Sequence, residues 1–149
     1  MPKAKLRAAT VGGSADDIEA TFYEAMQTGD LEKLMGCWAD EDDIVCVHPG
    51  GPRLVGNAAI RAAFEVLFEN GTVNAKPEQV CKVESLTSAM HNVVERIAVL
   101  TNEGAQHALV LATNVYQRTP QGWRLVAHHA SPGAADHQAE ALDEPQVLH

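Results

Sequence analysis

From Ser14 to Gly71 the apolar positions recur three and four residues apart. Ile18, Phe22, Ala25 and Met26 make one stripe, which predicts a helix that starts on a Ser14 cap with Asp16 and Asp17 in its first turn. Gly29 ends it. Asp30 can cap a second helix carrying Leu31, Leu34, Met35 and Trp38, so "TGDLEKL" reads as a tight helix–helix corner. The acidic turn "ADEDD" (39–43) follows. Next comes "IVCVH" (44–48), short, β-branched and apolar, which predicts a buried strand. "PGGPRLVG" predicts a loop, because its prolines and glycines do not suit a ladder. Asn57 can cap a third helix with the stripe Ile60, Phe64, Leu67 and Phe68, ending near Asn70-Gly71.

After Val73 the period changes from helical to alternating. Strands are predicted at roughly 78–87, 90–101, 106–118 and 122–131, with hairpin chemistry in "TNEGAQ" (101–106) and "TPQG" (119–122). Helices first and antiparallel strands after them predict an α+β domain over 14–133, with helices on one face of a sheet. Residues 1–13 read as a loose arm. Residues 134–149 form a polar tail with few large apolar side chains.

Composition narrows the functional classes. The 149 residues suffice for one domain with a substantial core. The net charge of −9, from 11 basic and 20 acidic side chains, argues against a nucleic-acid partner, since phosphate affinity comes from Lys and Arg. Three cysteines with no CxxC exclude a zinc ribbon and argue against a disulfide framework. Cys46, in an apolar run, reads as a small buried hydrophobe. No apolar run is long enough for a membrane span, and the N-terminus lacks the apolar stretch of a secretory signal. A cytoplasmic location is expected.

Four segments occur in one order: "FYEAMQTGDLEKLMGCWADEDD", "VHP", "RLVGNAAIRAAFEVLF" and "GWRLVAHHASP". Together they resemble the nuclear-transport-factor-2-like superfamily, which includes ketosteroid isomerases and SnoaL-like polyketide cyclases. The resemblance covers residues 14–133. It implies a cone of three helices against a curved, mostly antiparallel sheet that encloses a pocket, with dimers formed through the outer sheet face. The superfamily carries enzymes and binding modules on one scaffold, so function has to be read from residues.

In ketosteroid isomerases the general base is an aspartate directly before a proline. The position that matches by motif is His48, before Pro49. A neutral imidazole can accept a proton near neutral pH. The alternative is a histidine that closes a strand on a loop carbonyl. The isomerases' oxyanion donors are a tyrosine and a protonated aspartate. The tyrosine's place is taken by Phe22, with Tyr23 one residue on, about 100° around the helix. The aspartate's place is taken by Asn114, whose amide can donate. Both departures argue against steroid isomerisation itself.

In "WRLVAHHASP", alternation puts Trp123, Leu125, Ala127 and His129 on one face, expected to line the cavity, and His128 on the other. A bulge near Ser131-Pro132 would reverse this. Phe22, Trp38, Phe64 and Trp123 are the expected apolar walls, though each also suits plain core packing. Glu95 is a candidate acid if it faces inward, and a solvated or interface charge otherwise. His48, His107, His128 and His129 lack metal-motif spacing, and the glycines form no nucleotide cradle, so neither metal nor cofactor is expected. The expected enzyme is an isomerase or cyclase acting on a small apolar carbonyl compound, with His48 shuttling the proton and Asn114 and His129 polarising the oxygen. The alternatives are a non-catalytic small-ligand pocket and a dimeric interaction module.

Overall fold

The computed structural model describes residues 13–101 and 104–133. The arm, apart from its last residue, the tail and the centre of the "TNEGAQ" hairpin therefore lie outside the described residues. The elements run α1 (Ala15–Thr28), α2 (Leu31–Met35), β1 (Val45–Val47), β2 (Arg53–Val55), α3 (Asn57–Glu69), β3 (Ala75–Glu84), β4 (Ser88–Thr101), β5 (Gly104–Thr119) and β6 (Gly122–Pro132). Six strands make one curved, unclosed sheet in the order β2-β1-β6-β5-β4-β3. All neighbours are antiparallel except β1 and β6. The α+β expectation holds.

The helix corner is built from its caps. Ser14 Oγ accepts from the Asp17 N–H at 3.1 Å, and the Asp30 carboxylate accepts from the Lys33 N–H at 3.1 Å. Gly29 takes φ 70°, the left-handed conformation a helix stop favours, and donates its N–H to the Ala25 carbonyl. The buried stripe of α1 packs onto the concave sheet face with Ile60 and Phe64 of α3 and with Val93, Ala112, Tyr116 and Leu125 of the sheet.

Three local expectations are corrected. Arg53-Leu54-Val55 is not loop but the edge strand β2, paired with β1; both prolines fall outside it, so no ladder hydrogen bond is lost. Asn57 is not the cap of α3. Gly56 is the cap residue, and the Asn57 amide donates instead to the Ala39 carbonyl at 3.1 Å, tying α3 to the segment after α2. Trp38 does not continue α2. The helix ends at Met35, and Trp38 forms a parallel bridge with Leu125 of β6.

Candidate functional site

The strand β1 ends at Val47, directly before His48, because the next residues make a tight turn. Gly51 N–H donates to the His48 carbonyl at 2.8 Å, and Gly50 lies at φ 72°. Pro49 and Gly50 are the central residues that a type II turn favours. The register puts Cys46 beside His128. His48 is two residues further on and so shares the concave side with Cys46. The His48 ring is half-buried. It stands edge-on to Phe64 at 5.0 Å between centroids and lies 6.2 Å from the His128 ring. Its Nε2 is 3.8 Å from Cys46 Sγ. Burial lowers the His48 pKa, so its imidazole is neutral at neutral pH. Burial pushes the Cys46 thiol up to about 12, which keeps it out of nucleophilic chemistry.

Behind His48 runs a chain of buried polar side chains. His128 Nδ1 lies 2.6 Å from Asn114 Oδ1. Asn114 Nδ2 donates to the Tyr23 hydroxyl at 3.0 Å, and that hydroxyl donates to Glu95 Oε2 at 2.7 Å. Because the amide nitrogen is committed to Tyr23, Asn114 Oδ1 accepts, and His128 carries its proton on Nδ1. Every donor thus points the same way, from His128 toward Glu95. All four residues are at most 5% exposed. Burial brings the Glu95 carboxyl up to about 7, opposed by the hydrogen bond from Tyr23 and aided by the nearby Glu19. Burial, helped by the neighbouring His48 and His129, takes His128 down to about 3. Burial and the Glu95 carboxylate raise the Tyr23 hydroxyl.

The wall beside this chain is aromatic. Phe22 contacts Tyr23, Trp38, Phe64 and His128, with centroids 5.2–6.3 Å apart. Trp38 Nε1 is buried with no hydrogen-bond partner among the described residues. Such a donor is costly to leave unmade.

The sequence candidates are placed as follows. His48, Asn114, Phe22, Trp38 and Phe64 come together around the Phe22 ring and the His128–Asn114 bond. His48 and Asn114 do not touch in this chain of contacts; His128 stands between them. His129 is corrected: it is exposed, and His128 takes the inward place. The cause is a bulge at Val126, the extra residue between the pairs Val115–Ala127 and Tyr116–Leu125, which reverses the alternation after Leu125. Trp123 lies on the turn side of that bulge and is half-buried against the core. Tyr23 was not expected in the site. The buried arc of α1 is wide enough to take both Phe22 and Tyr23, although they differ by about 100°. Glu95 faces inward. The signal for it lies in "AMHNVVE", where Ala89, His91, Val93 and Glu95 alternate as one buried face.

The comparisons agree with this architecture. The SnoaL-like domain model matches residues 16–135. No curated protein matches the chain. A solved structure from Thiobacillus denitrificans, provisionally described as a calcium/calmodulin-dependent protein kinase type II association domain, is 33% identical, with 81% of this chain and 96% of that one covered and a TM-score of 0.74. One from Streptomyces avermitilis, provisionally described as a dehydratase of the NTF2-like family, is 32% identical, with 79% and 93% covered and a TM-score of 0.70. An NTF2-like protein with a cystatin-like fold from Novosphingobium aromaticivorans, 20% identical over 92% of each chain with a TM-score of 0.68, shares the fold. The chain belongs to the SnoaL-like family of the NTF2-like superfamily.

Proposed function

We propose that this SnoaL-like chain is a proton-transfer enzyme, an isomerase or a lyase, acting on a small, mostly apolar carbonyl compound. The observation that carries the reading is a half-buried, neutral His48 set against a buried chain of hydrogen bonds that ends on a carboxyl group titrating near neutrality. Buried polar groups are costly, and titratable groups with displaced pKa values cluster where protons move. The Streptomyces neighbour's description as a dehydratase is of the same reaction class.

In this mechanism His48 takes a proton from the carbon next to the substrate carbonyl. The negative charge moves onto the carbonyl oxygen. Trp38 Nε1–H is, among the described residues, the buried donor without a partner, and it is assigned to that oxygen. The imidazolium at His48 then returns its proton, either to a remote carbon, which gives isomerisation, or to a departing β-hydroxyl, which gives water and an alkene. His128, held by Asn114 with its proton on Nδ1, presents its Nε2 lone pair on the other side of the ring. The Phe22, Phe64 and Trp38 rings suit an apolar substrate body.

The test is a panel of β,γ-unsaturated ketones and β-hydroxy carbonyl compounds, with α-deuterium exchange followed by NMR. His48→Ala is expected to lower the rate about 10²–10⁴-fold with the fold retained. Exchange unaffected by His48→Ala, or no exchange across the panel, would overturn the enzymatic reading. A ligand that then raises the thermal midpoint through Trp38 would favour the binding-module alternative.

A further inference from the structure

A second polar cluster sits on the same sheet face, one strand position over, and the proposed reaction does not use it. Its centre is His91, 0% exposed, on β4. His91 Nδ1 is 3.0 Å from Glu19 Oε2 of α1, and that carboxylate also accepts from the Tyr116 hydroxyl at 3.1 Å. Glu19 therefore fixes the ring and holds the proton on Nδ1. The other nitrogen, Nε2, points outward. Glu84 Oε2 lies 3.4 Å from it and Asp16 Oδ1 3.8 Å. Both separations exceed the 2.7–3.2 Å of a well-formed N–H···O bond. Nε2 thus faces two exposed carboxylates at separations long for a direct bond.

Three facts fit this arrangement to a cation. The carboxylates of Asp16, Glu19 and Glu84 surround the ring, while Lys82, bonded to Asp16 at 2.8 Å, is the one ammonium group recorded against them among the described residues. The three outward atoms also lie within 4.8 Å of one another. Ligands about 2.0–2.2 Å from a tetrahedral zinc ion lie about 3.3–3.6 Å apart, so modest rotation of two exposed side chains closes the set. A buried histidine whose far nitrogen is held by a carboxylate is the usual support for a metal ligand.

We propose that His91 Nε2, Glu84 and Asp16 bind a divalent first-row cation such as Zn²⁺, with Glu19 as the positioning residue behind His91 and Lys82 as the displaceable competitor. Two carboxylates and one imidazole leave open coordination positions for water or a ligand oxygen. The ion would sit where the start of α1 meets β3 and β4, and it would fasten the helix to the sheet edge.

The experiment uses the full-length chain without an affinity tag, titrated with Zn²⁺ by calorimetry and with Co²⁺ by visible absorption. One ion per chain is expected, with the intense d–d bands of tetrahedral cobalt. Asp16→Asn combined with Glu84→Gln, both at exposed side chains, should weaken binding at least tenfold without unfolding the protein. Glu19→Gln should weaken it about 10–100-fold through the outer shell. Lys82→Ala should tighten it, because the competing ammonium is gone. Absence of binding, or an affinity unchanged in the Asp16/Glu84 double variant, overturns the proposal; the latter result would place the ion on other histidines. His48→Ala leaves this readout untouched, so its outcome is separate from that of the proton-transfer reading.

Discussion

Two groups of polar side chains lie side by side on the concave sheet face, and they are satisfied in opposite ways. Each takes one residue from α1, Tyr23 or Glu19, one helical turn apart, and one from β5, Asn114 or Tyr116. The inner group is His128, Asn114, Tyr23 and Glu95. It neutralises itself by a unidirectional run of donors, with burial moving Glu95 toward its protonated form and His128 toward its neutral form. The rim group is His91, Glu19, Tyr116, Glu84 and Asp16. It faces solvent through Glu84 and Asp16, whose side chains are 51% and 58% exposed. Depth decides the outcome. In the interior only hydrogen bonds can compensate lost hydration, whereas at the rim water and ions can. The same depth leaves the inner group fit for moving protons and the rim group fit for holding a cation.

The largest break in this comparison should come from the middle of the inner chain. Asn114→Leu deprives both the His128 N–H and the Tyr23 hydroxyl of a partner while keeping the volume similar. Each buried group left unmade costs about 1–3 kcal/mol, so a loss of about 2–6 kcal/mol is expected in urea unfolding. Glu84→Gln at the rim should change stability by less than about 0.5 kcal/mol in metal-free buffer. Similar losses for the two variants would mean that the chain is not the closed unit described.

A smaller effect separates the two ends of the inner chain by pH. The Glu95 pKa is raised from 4.5 to about 7, so the folded state binds more protons than the unfolded one across that window. Its contribution is present below pH 4.5 and is lost as pH rises through about 7, a difference of about 3 kcal/mol. The His128 pKa is lowered from 6.5 to about 3, so its contribution has the other sign: present above pH 6.5 and lost as pH falls toward 3. Between pH 4.5 and 6.5 the two slopes oppose each other. Glu95→Gln, which can still accept from Tyr23, should make stability rise with pH more steeply than in the parent chain, by about 1.4 kcal/mol per pH unit. His128→Asn should shift the slope in the opposite sense. Parallel stability–pH curves for the parent and Glu95→Gln would show that Glu95 titrates as an ordinary surface acid.

How far the sequence foretells these groups follows from the range of the interactions. The caps at Ser14 and Asp30, the Gly29 stop and the alternating strands are local, and local chemistry is visible in the chain. The placing of His48 at a strand end is visible too, because Pro49 and Gly50 define the turn. The facing of His128 is not. It depends on one unpaired residue, Val126, in a run whose letters alternate acceptably in either register. Tyr23 is hidden for a related reason. A helical stripe predicts the centre of the buried arc but not its width, which the concave sheet sets. Glu19, sitting in an acidic first half of α1, reads as solvated until Tyr116, 97 residues away, is brought to it. The rim site joins Asp16 to residues 68 and 75 positions later, so it exists only in the fold.

The smallest predicted effect concerns the ion pair that closes the rim group today. Lys82 Nζ and Asp16 Oδ1 are 2.8 Å apart, but the side chains are 39% and 58% exposed. A pair so hydrated recovers little: Coulomb attraction is weak in high dielectric, and holding two flexible side chains costs entropy. Lys82→Met should therefore alter metal-free stability by no more than about 0.5 kcal/mol, and the difference should shrink further as salt rises. A loss above about 1.5 kcal/mol would place Lys82 among the groups that compensate buried charge, beside Glu19, and the rim would then resemble the interior. A near-neutral result keeps the distinction sharp, because it means that the rim carboxylates are free to exchange an ammonium for another cation at almost no cost to the fold.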